Sequence, residues 1–101
     1  MRRYRVRFAR AALEDLAELT EFLVEKGSDD DAELAIRDAV EVLKRLPFVG
    51  RSAREQDDPT LRELIVPFGK TGYVVLYRVG PGAQVSILAA RHQLERPLGG
   101  M

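Results

Sequence analysis

The chain has 101 residues, enough for one domain (1–101) with a single modest core and too few for two. Sixteen Lys and Arg balance sixteen Asp and Glu, and the absence of cysteine excludes disulfides and thiolate metal sites. No apolar run reaches the roughly 20 residues that cross a bilayer, and none follows Arg2, Arg3 and Arg5 as a secretion signal requires, so a cytoplasmic protein is expected.

The charges are unevenly spread. Arg2, Arg3, Arg5, Arg7 and Arg10 make the start basic, while acids dominate from Glu14 to Glu33. Two faces of opposite sign are one reading, and a solvated helix surface is the other.

Tyr4, Val6 and Phe8 alternate with Arg3, Arg5 and Arg7, which predicts a half-buried strand with its arginines turned from the core. Those arginines suit a polyanion, or equally a charged edge that resists aggregation.

Residues 10–26 predict a helix with Leu13, Leu16, Ala17, Thr20, Leu23 and Val24 on its buried stripe. Glu14 and Asp15 fit its positive start, Lys26 fits its end, and Gly27 is a C-terminal cap. A second helix is expected over 31–46, capped by Ser28, Asp29 or Asp30 and ended by Pro47. Asp30 and Glu33 have roughly capping-box spacing. Its buried stripe reads Ala32, Ala35, Ile36, Ala39, Leu43 and Leu46. The short link predicts an antiparallel helix hairpin.

Residues 47–60 read as a long polar loop in which Phe48 and Val49 dock onto the core. Three apolar runs with glycine-marked turns then fill 61–94 and predict a three-stranded antiparallel meander. Residues 95–101 read as a frayed tail. The fold class is α+β, in the order β-α-α-β-β-β, with the helix hairpin covering one face of a four-stranded antiparallel sheet.

Arg62, Arg78, Arg91 and His92 all lie in the meander, where alternation can gather some of them on one open face. Such a basic face suits RNA phosphates or an acidic protein tail. Gly69-Lys70-Thr71 resembles the end of a phosphate loop, but the motif needs a glycine where Leu64 stands. Gly69 and Gly72 read better as hairpin-turn residues. His92 is the only histidine, so no zinc site is expected from it, and it reads either as a general acid–base or as a strand-end structural residue. Tyr4, Phe68, Tyr73 and Tyr77 offer stacking surfaces or core. No cofactor is expected.

The chain resembles the RelE/ParE superfamily of toxins from type II toxin–antitoxin (plasmid stabilisation) modules over nearly its whole length. The resemblance rests on the strand at 4–8 with Ala12-Leu13-Glu14-Asp15-Leu16, on Leu46-Pro47 with Gly50-Arg51, and on Leu61-Arg62-Glu63-Leu64. The hairpin at 69–79 with Tyr77-Arg78-Val79, and the last strand at 85–90 ending in Arg91-His92, complete it.

The resemblance implies growth arrest, by inhibition of DNA gyrase in one branch or by ribosome-dependent cleavage of messenger RNA in the other. Val74 stands where the ribonuclease branch carries a cation, and Pro97 or Leu98 where it carries a tyrosine. No lysine lies between Pro47 and Thr60. The ParE-like branch fits better, with a gyrase target and a ribbon-helix-helix antitoxin as partners. Arg51, Arg62, Arg78, Arg91 and His92 are then the target- or partner-binding residues. Arg91 and His92 become catalytic candidates under the endoribonuclease alternative. A non-toxic relative that only binds an antitoxin is a further alternative.

Overall fold

The computed structural model describes residues 3–25, 32–53, 58–68 and 71–92. The elements in chain order are β1 (Arg5–Phe8), α1 (Arg10–Glu25), α2 (Ala32–Val40), a 3-10 turn (Glu41–Lys44), β2 (Arg51–Ser52), β3 (Leu61–Phe68), β4 (Thr71–Gly80) and β5 (Gln84–His92). This is the α+β order expected from the sequence. The helix caps assigned to residues 27–30 and the tail at 95–101 lie outside the described residues.

The sheet has five strands in the order β1-β5-β4-β3-β2. The expected purely antiparallel sheet is therefore corrected in two ways. β1 runs parallel to β5, with Arg5 opposite Gln84 and Phe8 opposite Ile87. A short strand, β2, also forms within the loop and pairs antiparallel with β3. The parallel pairing arises because α1 and α2 separate β1 from the meander, so β1 returns to the free side of β5 through a crossover and not a hairpin.

Strand parity decides which groups face outward. Val79 donates to the Thr60 carbonyl, and Ala53 donates to the Leu61 carbonyl. Odd-numbered residues of β3 thus aim their backbone away from β4. Past β2 that leaves the Ile65 amide and carbonyl and the Pro67 carbonyl on the outer edge. Pro67 sits where no ladder bond needs its missing N–H.

Both helices lie on one face of the sheet. Ala12, Leu16 and Leu19 of α1 and Ile36, Val40 and Leu43 of the α2 segment meet Val66, Tyr73, Val75, Tyr77, Val79, Val85, Ile87 and Ala90. The buried stripe of α1 is rotated from the expected one: Leu13 is 45% exposed and Ala12 and Leu19 are buried. An ion of α1 helps fix that rotation. The Asp15 carboxylate accepts the backbone N–H of Ala90 at 3.0 Å. Asp15 therefore tethers α1 to β5, beyond the point where β1 ends, and does not serve a helix start.

The second helix also departs from expectation. It is regular to Val40, then tightens, and Arg45 and Leu46 both donate to the Val42 carbonyl. The Lys44 carbonyl accepts from Tyr4 at 2.8 Å, tying this segment to β1. Leu46, Phe48 and Val49 are 54%, 57% and 54% exposed, so none of them docks onto the core. The backbone there is held elsewhere. Arg62 donates through Nε and NH2 to the Gly50 carbonyl and through NH2 to the Phe48 carbonyl. Its guanidinium lies 5.5 Å from the Phe48 ring centroid.

Candidate functional site

Alternation along the strands gives the sheet a second face, away from α1 and α2. On β4 the buried Tyr73, Val75, Tyr77 and Val79 face the helices, so Val74, Leu76 and Arg78 face the other way. Cross-strand partners share a face. Ile65 lies opposite Val74, and Ala89 opposite Leu76, which gives this second face a half-buried aliphatic floor.

Arginines surround that floor. Arg5 and Arg7 arrive from β1, because their neighbours Val6 and Phe8 pack against the core. Arg7 pairs with Ser86, which in turn pairs with Arg78. Arg91 lies opposite Val74, and Arg51 opposite Glu63, whose other neighbour is Leu76. All five arginines are exposed.

Among the described residues, two of the five have a counter-charge. Arg51 Nε is 3.0 Å from Glu63 Oε1, and Arg78 NH2 is 3.3 Å from Asp58 Oδ2. Asp58 is itself held by Thr60, whose hydroxyl and amide both donate to Oδ1. The Thr60 hydroxyl, then its amide, then Arg78 hold the Asp58 carboxyl below its ordinary 3.8. Arg5, Arg7 and Arg91 form no ion pair among the described residues.

A bulge in β5 determines which terminal cation joins this face. Leu76 pairs with Ala89 but Tyr77 pairs with Ile87, so Leu88 is an extra residue. Core positions shift from Val85 and Ile87 to Ala90. Arg91 consequently turns to the open face. His92 turns to the helix side, where its ring meets Tyr73 edge-on with centroids 5.6 Å apart.

The sequence candidates are thus divided. Arg51, Arg78 and Arg91 share the open face. Arg62, opposite Tyr77, lies on the helix side with its guanidinium committed to the backbone of residues 48–50. His92 is separated from Arg91 by the sheet itself. Tyr73 and Tyr77 are core residues and offer no stacking surface. Arg5 and Arg7 join the site from a strand that the sequence equally allowed to be only a guarded edge. Among the described residues, no three of His, Asp and Glu are placed to hold a metal ion.

Residues 6–97 match the family described as the ParE toxin of the type II toxin–antitoxin system parDE. The chain belongs to the ParE toxin family. This ParE-family chain is also 34% identical over 87 residues to Toxin RelE1 of Caulobacter vibrioides, covering 84% of the chain and 88% of that protein. Among solved structures it is similar to the chromosomal ParDE toxin–antitoxin system of P. aeruginosa, with TM-score 0.67 and 21% identity. That match covers 88% of this chain and 95% of the other, and it bears on the fold. The RelBE2 toxin–antitoxin complex of Mycobacterium tuberculosis matches with TM-score 0.58 and 27% identity, covering 89% and 98% of the two chains. The α+β fold described above matches that of these neighbours.

Proposed function

We propose that this ParE-family toxin arrests growth in the cytoplasm by binding DNA gyrase, and that a ribbon-helix-helix antitoxin keeps it silent. The observation that carries the binding reading is the separation of Arg91 from His92. Cleavage of RNA through its 2′-hydroxyl needs an acid and a base beside the cations that stabilise the phosphorane. Here the sole histidine packs on Tyr73 on the helix side, while Arg5, Arg7, Arg51, Arg78 and Arg91 lie across the sheet. That arrangement favours a binding surface over an endoribonuclease centre.

The antitoxin reading draws on the family and on the outer edge of β3, which past β2 pairs with no other strand among the described residues. The Ile65 amide and carbonyl and the Pro67 carbonyl are available to an added strand. Toxin–antitoxin complexes among the similar structures support an antitoxin partner.

One paired assay tests the reading. The purified protein should inhibit supercoiling by gyrase and leave ribosome-bound message intact, and its expression without a partner should stop growth. Message cleavage that His92→Ala abolishes would promote the endoribonuclease alternative. Normal growth at confirmed soluble expression would leave the non-toxic relative as the better reading.

A further inference from the structure

We propose that the open face of the sheet docks an acidic, aliphatic segment of the protein that the toxin arrests, and that it is not a nucleic-acid surface. This rests on the binding mode proposed above and names the chemistry of that contact.

Three observations converge. First, Arg5, Arg7, Arg51, Arg78 and Arg91 share one face, and Arg5, Arg7 and Arg91 have no acid paired with them among the described residues. Cations gathered on one face repel one another and draw in an anionic partner. Second, the floor between them is aliphatic: Ile65, Val74, Leu76 and Ala89. Branched side chains on a pleated surface suit alternate aliphatic residues of an extended peptide.

Third, four of the described aromatics face the wrong way for bases. Tyr73 and Tyr77 are buried on the helix side, and Tyr4 and Phe8 pack against that same core. Single-stranded nucleic acid is held by stacking on aromatic platforms as well as by charge. Here the charge is present, while these four rings are turned inward and the exposed Phe48 ring lies against the Arg62 guanidinium, which is on the helix side. An acidic protein segment uses both features the face does offer. Its carboxylates meet Arg5, Arg7 and Arg91, and its aliphatic side chains meet the floor. It can also take over Arg78 and Arg51 from Asp58 and Glu63, since exposed pairs of that kind are weak.

The probes are a fluorescent 12-residue peptide alternating Asp or Glu with Leu or Ile, and fluorescent 12-nucleotide single-stranded DNA and RNA. The variants are Arg5→Gln/Arg7→Gln/Arg91→Gln and the matching triple Lys variant, each checked for wild-type melting. Gln keeps the β1 edge polar, so aggregation does not confuse the result. The expected result is that the wild type binds the peptide more tightly than either oligonucleotide, with affinity falling as salt rises. The Gln variant should bind it about tenfold more weakly, and the Lys variant should retain much of the affinity. Peptide affinity unchanged in the Gln variant overturns the proposal, as does tighter binding of either oligonucleotide.

Gyrase supercoiling and a purified antitoxin supply the remaining arms. Wild-type inhibition that the Gln variant loses supports the target as occupant, and a Gln variant as inhibitory as wild type overturns it. Loss of antitoxin binding with inhibition intact assigns the face to the antitoxin and overturns the target claim. Arginine-dependent peptide binding without any gyrase inhibition supports the surface chemistry while removing gyrase as the proposed target.

Discussion

The backbone amide of Gly50 donates to the buried Tyr77 hydroxyl at 3.0 Å, joining residues 27 positions apart. A Cβ on Gly50 would lie 2.5 Å from both the Glu63 carbonyl oxygen and that hydroxyl, so the bond requires a glycine there. Tyr77→Phe should cost about 1–3 kcal/mol, because a buried N–H loses its partner. Gly50→Ala should cost at least as much, since backbone and a fixed ring must move. Urea unfolding of both variants measures this. A Tyr77→Phe protein as stable as wild type would show that water reaches the amide.

The Asp15 tether gives a second prediction. Its carboxylate satisfies the Ala90 amide, which β1 is too short to reach. Asp15→Ala should lower stability by about 1–2 kcal/mol, and Asp15→Asn by less. The sharper readout is hydrogen exchange. The Ala90 amide should lose protection in Asp15→Ala while the amides of Val75 and Ile87 keep theirs relative to global stability. Equal loss at all three would mean that the tether has no local role.

Ala83 carries a φ of 56° in the β4–β5 turn, next to Gly82 at 74°. A Cβ in this left-handed region costs roughly 1–2 kcal/mol, and glycine recovers that less roughly 0.4–1 kcal/mol of added freedom in the unfolded chain. Ala83→Gly should therefore stabilise the fold by about 0.5–1 kcal/mol. The Ala83 carbonyl also accepts from Arg5, so thermal melting should rise without loss of the β1–β5 pairing. A lower melting temperature would contradict the strain argument.

Asp58 predicts a pH effect with a definite sign. Its folded carboxyl titrates below 3.8, first because of the Thr60 hydroxyl. A depressed carboxyl contributes stability that is present above its unfolded value and lost as pH falls through its folded one. The loss should thus begin below pH 3.8 and be small, as the group is exposed. Carbon NMR titration of Asp58 should show the depression, and Thr60→Val should return the value toward 3.8. No response to Thr60→Val would exclude the hydroxyl as the main cause.

Much of the architecture was legible in local pattern. The alternation of Tyr4, Val6 and Phe8 with arginines, the helical spacing, and the three apolar runs of the meander all reappear as elements. What local pattern could not supply was pairing. β1 joins β5 across 79 positions, 84 minus 5, and no turn residue announces a partner so distant. Parity was equally hidden at β5. Counting by twos from Ile87 places Arg91 in the core, and only the extra residue, Leu88, turns it outward. Arg62 read as a free cation because its acceptors are backbone carbonyls, which carry no sequence signal. Phe48 and Val49 read as core because hydrophobicity alone does not tell a docked side chain from an exposed one.

The pairing of the first strand with the last also sets a timetable for synthesis. Arg5 leaves the ribosome with no strand to join, and Gln84 follows roughly 4–16 s later at roughly 5–20 residues per second. Through that interval the chain lacks β5, and with it Arg91 and the strand that β1 pairs with. A nascent toxin of this topology is incomplete until its final strand emerges. On the reading proposed above, an antitoxin already present has those seconds in which to meet the chain before its fold is complete.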